Sequence, residues 1–136
     1  MPIEDEDELR SVLKQSAVIA VVGASPKPYR DSHSIANFLE RNGYRVYRVN
    51  PLYDEIDGKP CYNNLSEVPE PIDIVDVFRR PDAVPDIVRE SLAVNAKVLW
   101  LQLGVIHEDA ALIAEAGGMR VVMDHCIAVE YRRLVA

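Results

Sequence analysis

The stretch 17-AVIAVVGASPKPYRDSHSIANFLERNGYRVYRVNP-51 decides the fold. It opens on a continuous β-rich apolar run, Ala17–Gly23, of the kind that forms a strand buried on both faces. Ser32–Asn42 follows with Ile35, Phe38 and Leu39 at helical spacing, and Gly43 stands where a helix ends. Tyr44–Val49 is a second β-rich run, which stops at Asn50-Pro51. Strand, helix and strand in this order predict a βαβ unit. The loop inside it carries Gly23-Ala24-Ser25, Lys27 and Arg30, but it lacks the Gly-x-Gly-x-x-Gly spacing of dinucleotide sites.

The alternation continues on either side. Residues 4–16 predict a helix with Leu9, Val12 and Leu13 on one face, packed on the rest of the chain. Ile72–Phe78, Lys97–Leu101 and Arg120–Met123 read as the third, fourth and fifth strands. Between them lie two predicted helices: Asp82–Asn95, capped by Asp82, and His107–Ala116, ended by Gly117-Gly118. Asp124 is placed to cap a last helix. Residues 51–71 hold five prolines and glycines and read as a long connection with a helical turn near Leu65–Val68. Five short strands separated by helices argue for an α/β fold with a doubly wound, five-stranded parallel sheet. Trp100 falls in a buried strand and is expected in the core. No shift in composition divides the chain, so residues 1–136 are expected to form a single domain.

Charge and composition exclude several classes of function. The net charge is −7, and Glu4, Asp5, Glu6, Asp7 and Glu8 supply five of those negatives, which leaves −7 + 5 = −2 for the remainder. The acidic run suits a helix N-terminus, and the rest offers no basic stripe for nucleic acid. No run approaches the roughly 20 apolar residues of a membrane span, and the acidic N-terminus is unlike a signal peptide. Cys61 and Cys126 match neither a zinc site nor a CxxC motif, and a reduced cytoplasmic protein is the simplest reading. The apolar faces of the terminal helices are compatible with a homodimer.

In such a sheet, ligands bind beyond the carboxyl ends of the strands, where the strand order reverses. That directs attention to Gly23–Asp31, Asn50–Asp54, Phe78–Asp82, Gln102–His107 and Asp124–Cys126. Gly23, Ala24 and Ser25 put small side chains where a backbone must approach a bulky anion, and the free N–H groups of the next helix can receive phosphate. Lys27, Arg30 and the hydroxyls of Ser25 and Ser32 add charge and donors, while Arg79 and Arg80 can reach a second anionic group. A nicotinamide dinucleotide site wants an acidic residue at the end of the second strand, and here Asn50-Pro51 stands there. Coenzyme A, with a pyrophosphate and a ribose phosphate at one end, fits the charge better.

Several of these residues also have plainer readings. Gly23 permits a tight turn, Ser32 can be an N-cap, and Asn50-Pro51 can simply stop the strand. His33 reads as a solvated first-turn residue. Arg79 and Arg80, being adjacent, are expected to point different ways, one to ligand and the other to solvent or a helix end. Cys126 falls at the start of the last helix, where the dipole favours a thiolate. Its alternative is a small buried apolar residue.

The motifs VVGASPKPYRDS, YRVYRVNP, DIVDVFRRP, VLWLQLGV and VVMDHCIAVEYRRL, in that order, resemble the small stand-alone CoA-binding proteins of bacteria and archaea. That family is related to the N-terminal domain of the succinyl-CoA synthetase α subunit. The resemblance implies a Rossmann-like three-layer fold that binds CoA or acyl-CoA. It carries Gly23, Ala24 and Ser25 to the turn facing the cofactor phosphates, and Asn50 and Pro51 to the adenosine end. Val77, Phe78, Arg79, Arg80 and Pro81 match the segment lining adenine and ribose, and Gln102 and Gly104 the pantetheine path. Asp124 and Cys126 match the turn after the fifth strand. In the synthetases, reaction needs a phosphorylated histidine from a second domain and an ATP-binding partner subunit. The chain ends before such a domain, His125 is not expected to be that histidine, and binding without intrinsic catalysis is the expectation. The alternatives are an NAD(P)- or other nucleotide-dependent enzyme on the same sheet, and an interaction module with a vestigial crevice.

Overall fold

A computed structural model describes residues 1–136. At its centre β1, Val18–Val22, is buried along its whole length, because an uninterrupted apolar strand is stable only with both faces covered. Around it run β2 (Arg45–Val49), β3 (Glu55–Ile56), β4 (Lys59–Tyr62), β5 (Ile74–Val77), β6 (Val98–Leu101) and β7 (Arg120–Met123). The sheet order is β3-β4-β2-β1-β5-β6-β7. Every pairing is parallel except that of β3 with β4.

Period-2 alternation splits the core between the two faces of the sheet. Ile19, Val21, Ile74 and Trp100 face α1 (Glu6–Gln15), α2 (Asp31–Arg41) and α5 (Ile127–Leu134). Ala20, Val75, Val77 and Leu99 face α3 (Val84–Ala93) and α4 (Glu108–Ala116). The result is the expected α/β three-layer, Rossmann-like architecture. Trp100 is fully buried, and its indole N–H donates to the carbonyl of His125 at 2.9 Å. No helix is long and apolar enough to cross a membrane.

The sheet has seven strands, not five. The two extra strands form a hairpin inside residues 51–71, the stretch read as a connection. Asp57 and Gly58 both take positive φ, 53° and 78°, the backbone of a two-residue hairpin turn for which Asp-Gly is a strong signal. That signal was obscured by Pro60 and by strands of two and four residues. β4 reaches the sheet through two residue pairs only, Arg48 with Cys61 and Val49 with Tyr62.

Several helix ends also differ from expectation. Asp5, not residue 4, begins the first helix: it caps α1 by accepting from the Glu8 N–H at 3.0 Å. α2 starts at Asp31 with Arg30 before it, and Ser32 is buried in the first turn rather than capping it. Asp82 lies in a 3-10 turn, Pro81–Ala83, ahead of α3 and does not cap that helix. His107 precedes α4 and caps it, its ring Nδ1 accepting from the Ala110 N–H at 3.1 Å. Asp124 sits at φ 64°, and its carboxylate accepts from the Gly104 N–H at 2.7 Å instead of capping α5.

Candidate functional site

Reading the strand order from β1, the chain first adds β2 on one side and later β5, β6 and β7 on the other. The reversal lies between the carboxyl ends of β1 and β5, where Gly23 and Phe78 stand side by side. The Phe78 N–H donates to Val22 O, and the Gly23 N–H to Val49 O, each at 2.9 Å. Gly23 has φ +88°, and a Cβ there would lie 2.5 Å from the Phe78 carbonyl oxygen. A side chain is therefore excluded twice, by conformation and by the neighbouring strand.

A cleft of about 890 Å³ opens over this point, within the range of small-molecule sites. It runs from the end of β2, across β1 and β5, to the end of β6 and the start of α5. Gly23, Ser25, Lys27, Arg30 and Ser32 line it from the β1–α2 side. Phe78, Arg79, Arg80 and Pro81 line it from the end of β5, and Gln102, Gly104 and Cys126 from the far side. Arg79 and Arg80 both line the cleft, and Arg80 is also largely open to solvent at the start of the Pro81–Ala83 turn. Arg80 has a loose contact with Asp82 at 3.7 Å, whereas Lys27, Arg30 and Arg79 have no carboxylate partner.

Three of the expected residues do not reach the cleft. Val77 is fully buried on the α3–α4 face, opposite to Phe78, as alternation along β5 requires. Ala24 is buried in the α2 layer. Pro51 is exposed on the outside of its turn. His33 is not solvated: its ring bonds Asp57 of the β3–β4 hairpin at 2.5 Å.

Some lining residues act mainly on the protein itself. The Ser25 hydroxyl accepts from the Lys27 N–H at 3.1 Å and folds the loop. Asn50 donates its amide to Ala24 O and accepts from the Leu52 N–H, both at 2.9 Å, which staples the turn after β2 to the end of β1. Buried Gln102 accepts from the Ile127 N–H at 3.0 Å and so caps α5. Cys126 is half-buried at that helix start. Cys61 is buried outside the cleft, and burial pushes its thiol pKa up.

Tyr29, Asp31, Ile35, Tyr53, Leu103 and Val105 also line the cleft and were not singled out from the sequence. All but Ile35 fall inside the stretches at the strand ends. The missed signal was aromatic and apolar residues in loops, where a solvated chain has no need of them. Ile35 projects from the inner face of α2.

One layer below the floor, Asp76 is fully buried, and neither carboxyl oxygen has a hydrogen-bond partner. It pairs in register with Val21 and Trp100 on the neighbouring strands. Burial raises its pKa well above the usual carboxylate range, because the charged form loses its hydration there.

Residues 17–132 match the model of the CoA binding domain family. YneT of Bacillus subtilis, an uncharacterised protein, is 40% identical over 124 residues, 91% of this chain and 92% of that protein. The ADP-forming acetate–CoA ligase I of Archaeoglobus fulgidus is 28% identical over 120 residues, 81% of this chain, which spans 18% of the ligase. A solved structure, a hypothetical protein from Pyrococcus horikoshii OT3, superposes with a TM-score of 0.95 at 35% identity. That superposition covers 100% of this chain and 97% of the other.

Proposed function

The chain belongs to the CoA-binding domain family, and from that membership we propose that its cleft binds CoA or an acyl-CoA without intrinsic catalysis. The observation that carries this reading is the set of cations around Gly23. Lys27, Arg30 and Arg79 converge on the switch-point cleft, and none of them is ion-paired with a carboxylate, which leaves them available to a polyanionic ligand. The first-turn N–H groups of α2 add donors on the same side. In this reading the adenosine end lies toward β1, β2 and the Phe78–Pro81 segment. The pantetheine arm runs past Gln102 and Gly104 toward Cys126.

Binding is favoured over catalysis because the polar groups of the cleft are engaged in holding loops. Ser25 folds its own turn, and Asn50 and Gln102 clamp neighbouring elements. Cys126 has no base hydrogen-bonded to its thiol, an arrangement that nucleophilic catalysis relies on. A nicotinamide dinucleotide is disfavoured at the end of β2, where the Asn50 amide is already paired on both sides. The cleft's carboxylate, Asp31, stands on α2 instead.

Thermal unfolding with CoA, acetyl-CoA, NAD, NADP and ATP tests the reading, since a ligand of the native state raises the midpoint by mass action. CoA is expected to give the largest rise. Replacing Arg79→Ala and Arg80→Ala together should weaken CoA binding by more than tenfold, because charge-assisted bonds contribute about 1.5 kcal/mol or more each. An unchanged affinity would put the phosphates elsewhere, and a midpoint raised by NAD alone would replace CoA with a dinucleotide.

A further inference from the structure

Two aromatic rings stand at the β1–β2 end of the cleft. Tyr29 is 74% exposed in the β1–α2 loop. The Arg30 guanidinium lies over that ring, 5.7 Å from its centroid. Tyr53 is half-buried, with one part of its ring packed on the α2-side core and another facing the cleft. Neither phenol hydroxyl has a hydrogen-bond partner within the protein, unlike those of Tyr44 and Tyr47.

The surroundings set these rings differently. Tyr53 is fixed: its N–H donates to Asn50 O at 3.3 Å, and the Asn50 side chain ties the same turn to Ala24. The bond from His33 to Asp57 holds the first turn of α2 against the hairpin that follows Tyr53. Tyr29 stands on the exposed loop just before that turn. One ring is therefore preset as a wall, and the other stands exposed at the rim.

We infer that Tyr29 and Tyr53 receive the purine of the ligand by stacking. The inference rests on the CoA reading and adds to it which residues hold the base. An aromatic face at a cationic rim suits a ligand that joins a flat base to phosphates, since every base offers a π-face and a ring contact needs no hydrogen-bond code. The Arg30 guanidinium beside Tyr29 contributes a cation both to a stacked base and to the adjoining phosphate. It also explains the absence of a carboxylate at the end of β2, because the nucleoside is held by its base rather than by its ribose hydroxyls.

The test uses calorimetric titration of the full chain and of Tyr29→Leu, Tyr53→Leu, Tyr29→Phe and Tyr53→Phe. The ligands are CoA, adenosine 3′,5′-bisphosphate and 4′-phosphopantetheine. Each Leu variant should lose roughly tenfold in affinity for CoA and for the bisphosphate and keep its affinity for phosphopantetheine. The Phe variants should bind like wild type. Equal losses on the two fragments, no loss on CoA, or Phe variants as weak as Leu would each overturn the stacking assignment. A wild-type chain that binds none of the three ligands would overturn the CoA reading itself, a result distinct from the others.

Discussion

Asp76 shows how much a single residue can ask of a fold. Its ordinary pKa is 3.8, and complete burial without a partner raises it well above that in the folded chain. Above pH 4 the unfolded chain therefore releases a proton that the folded chain keeps, and stability falls as pH rises toward the folded pKa. Asp76→Val and Asp76→Asn both remove this linkage. The valine variant is expected to be more stable than wild type at pH 7.5, by about 1–3 kcal/mol, with the gap shrinking toward pH 4. Urea unfolding at the two pH values measures it, and a gap independent of pH would contradict a raised Asp76 pKa. The sequence showed a carboxylate inside DIVDVF and no more, because its partners come from strands far away in the chain. Gly23 was legible as a required glycine, whereas the atom requiring it, the Phe78 carbonyl, was not.

At the scale of elements, periodicity was enough for the strands and helices that form the sheet and its cover. It failed at helix ends, where capping depends on which group arrives from elsewhere. α5 is the clearest case. Its first-turn amide is satisfied by Gln102 from the end of β6, whereas the sequence pointed to Asp124. Gln102→Leu should leave that buried N–H without a partner and cost about 1–3 kcal/mol. The loss should appear as a lower denaturation midpoint and faster hydrogen exchange at Ile127. Unaltered exchange there would mean that the helix start does not depend on Gln102. The β3–β4 hairpin was missed for a related reason: two- and four-residue strands have too few residues to show alternation. Its place is set by pairing with β2 and by contacts to α2, including Lys59 with Glu40 at 2.7 Å and Asp57 with His33 at 2.5 Å.

For the whole molecule, we propose that residues 1–136 form one domain with α1 as part of it. α1 buries Leu9, Val12 and Leu13 against the same core as α2 and α5. Ile3 donates to Val121 O at 2.8 Å, Arg10 donates to Leu134 O at 2.9 Å, and Arg133 bridges Glu6 and Glu130. Calorimetry should show one unfolding transition in which calorimetric and van't Hoff enthalpies agree, moving as a unit when CoA is added. A separate early transition for the N-terminal helix would refute a single domain. The sequence by itself determined the alternation of strands and helices, the mostly parallel sheet and the rim over which the cleft opens, because these follow from local apolar spacing and turn residues. Only the tertiary structure decided the hairpin at the edge, the side chains turned away from the cleft, the tyrosines turned into it and the unpartnered Asp76. Those depend on which distant segments meet, and contacts between segments leave no periodic trace along the chain.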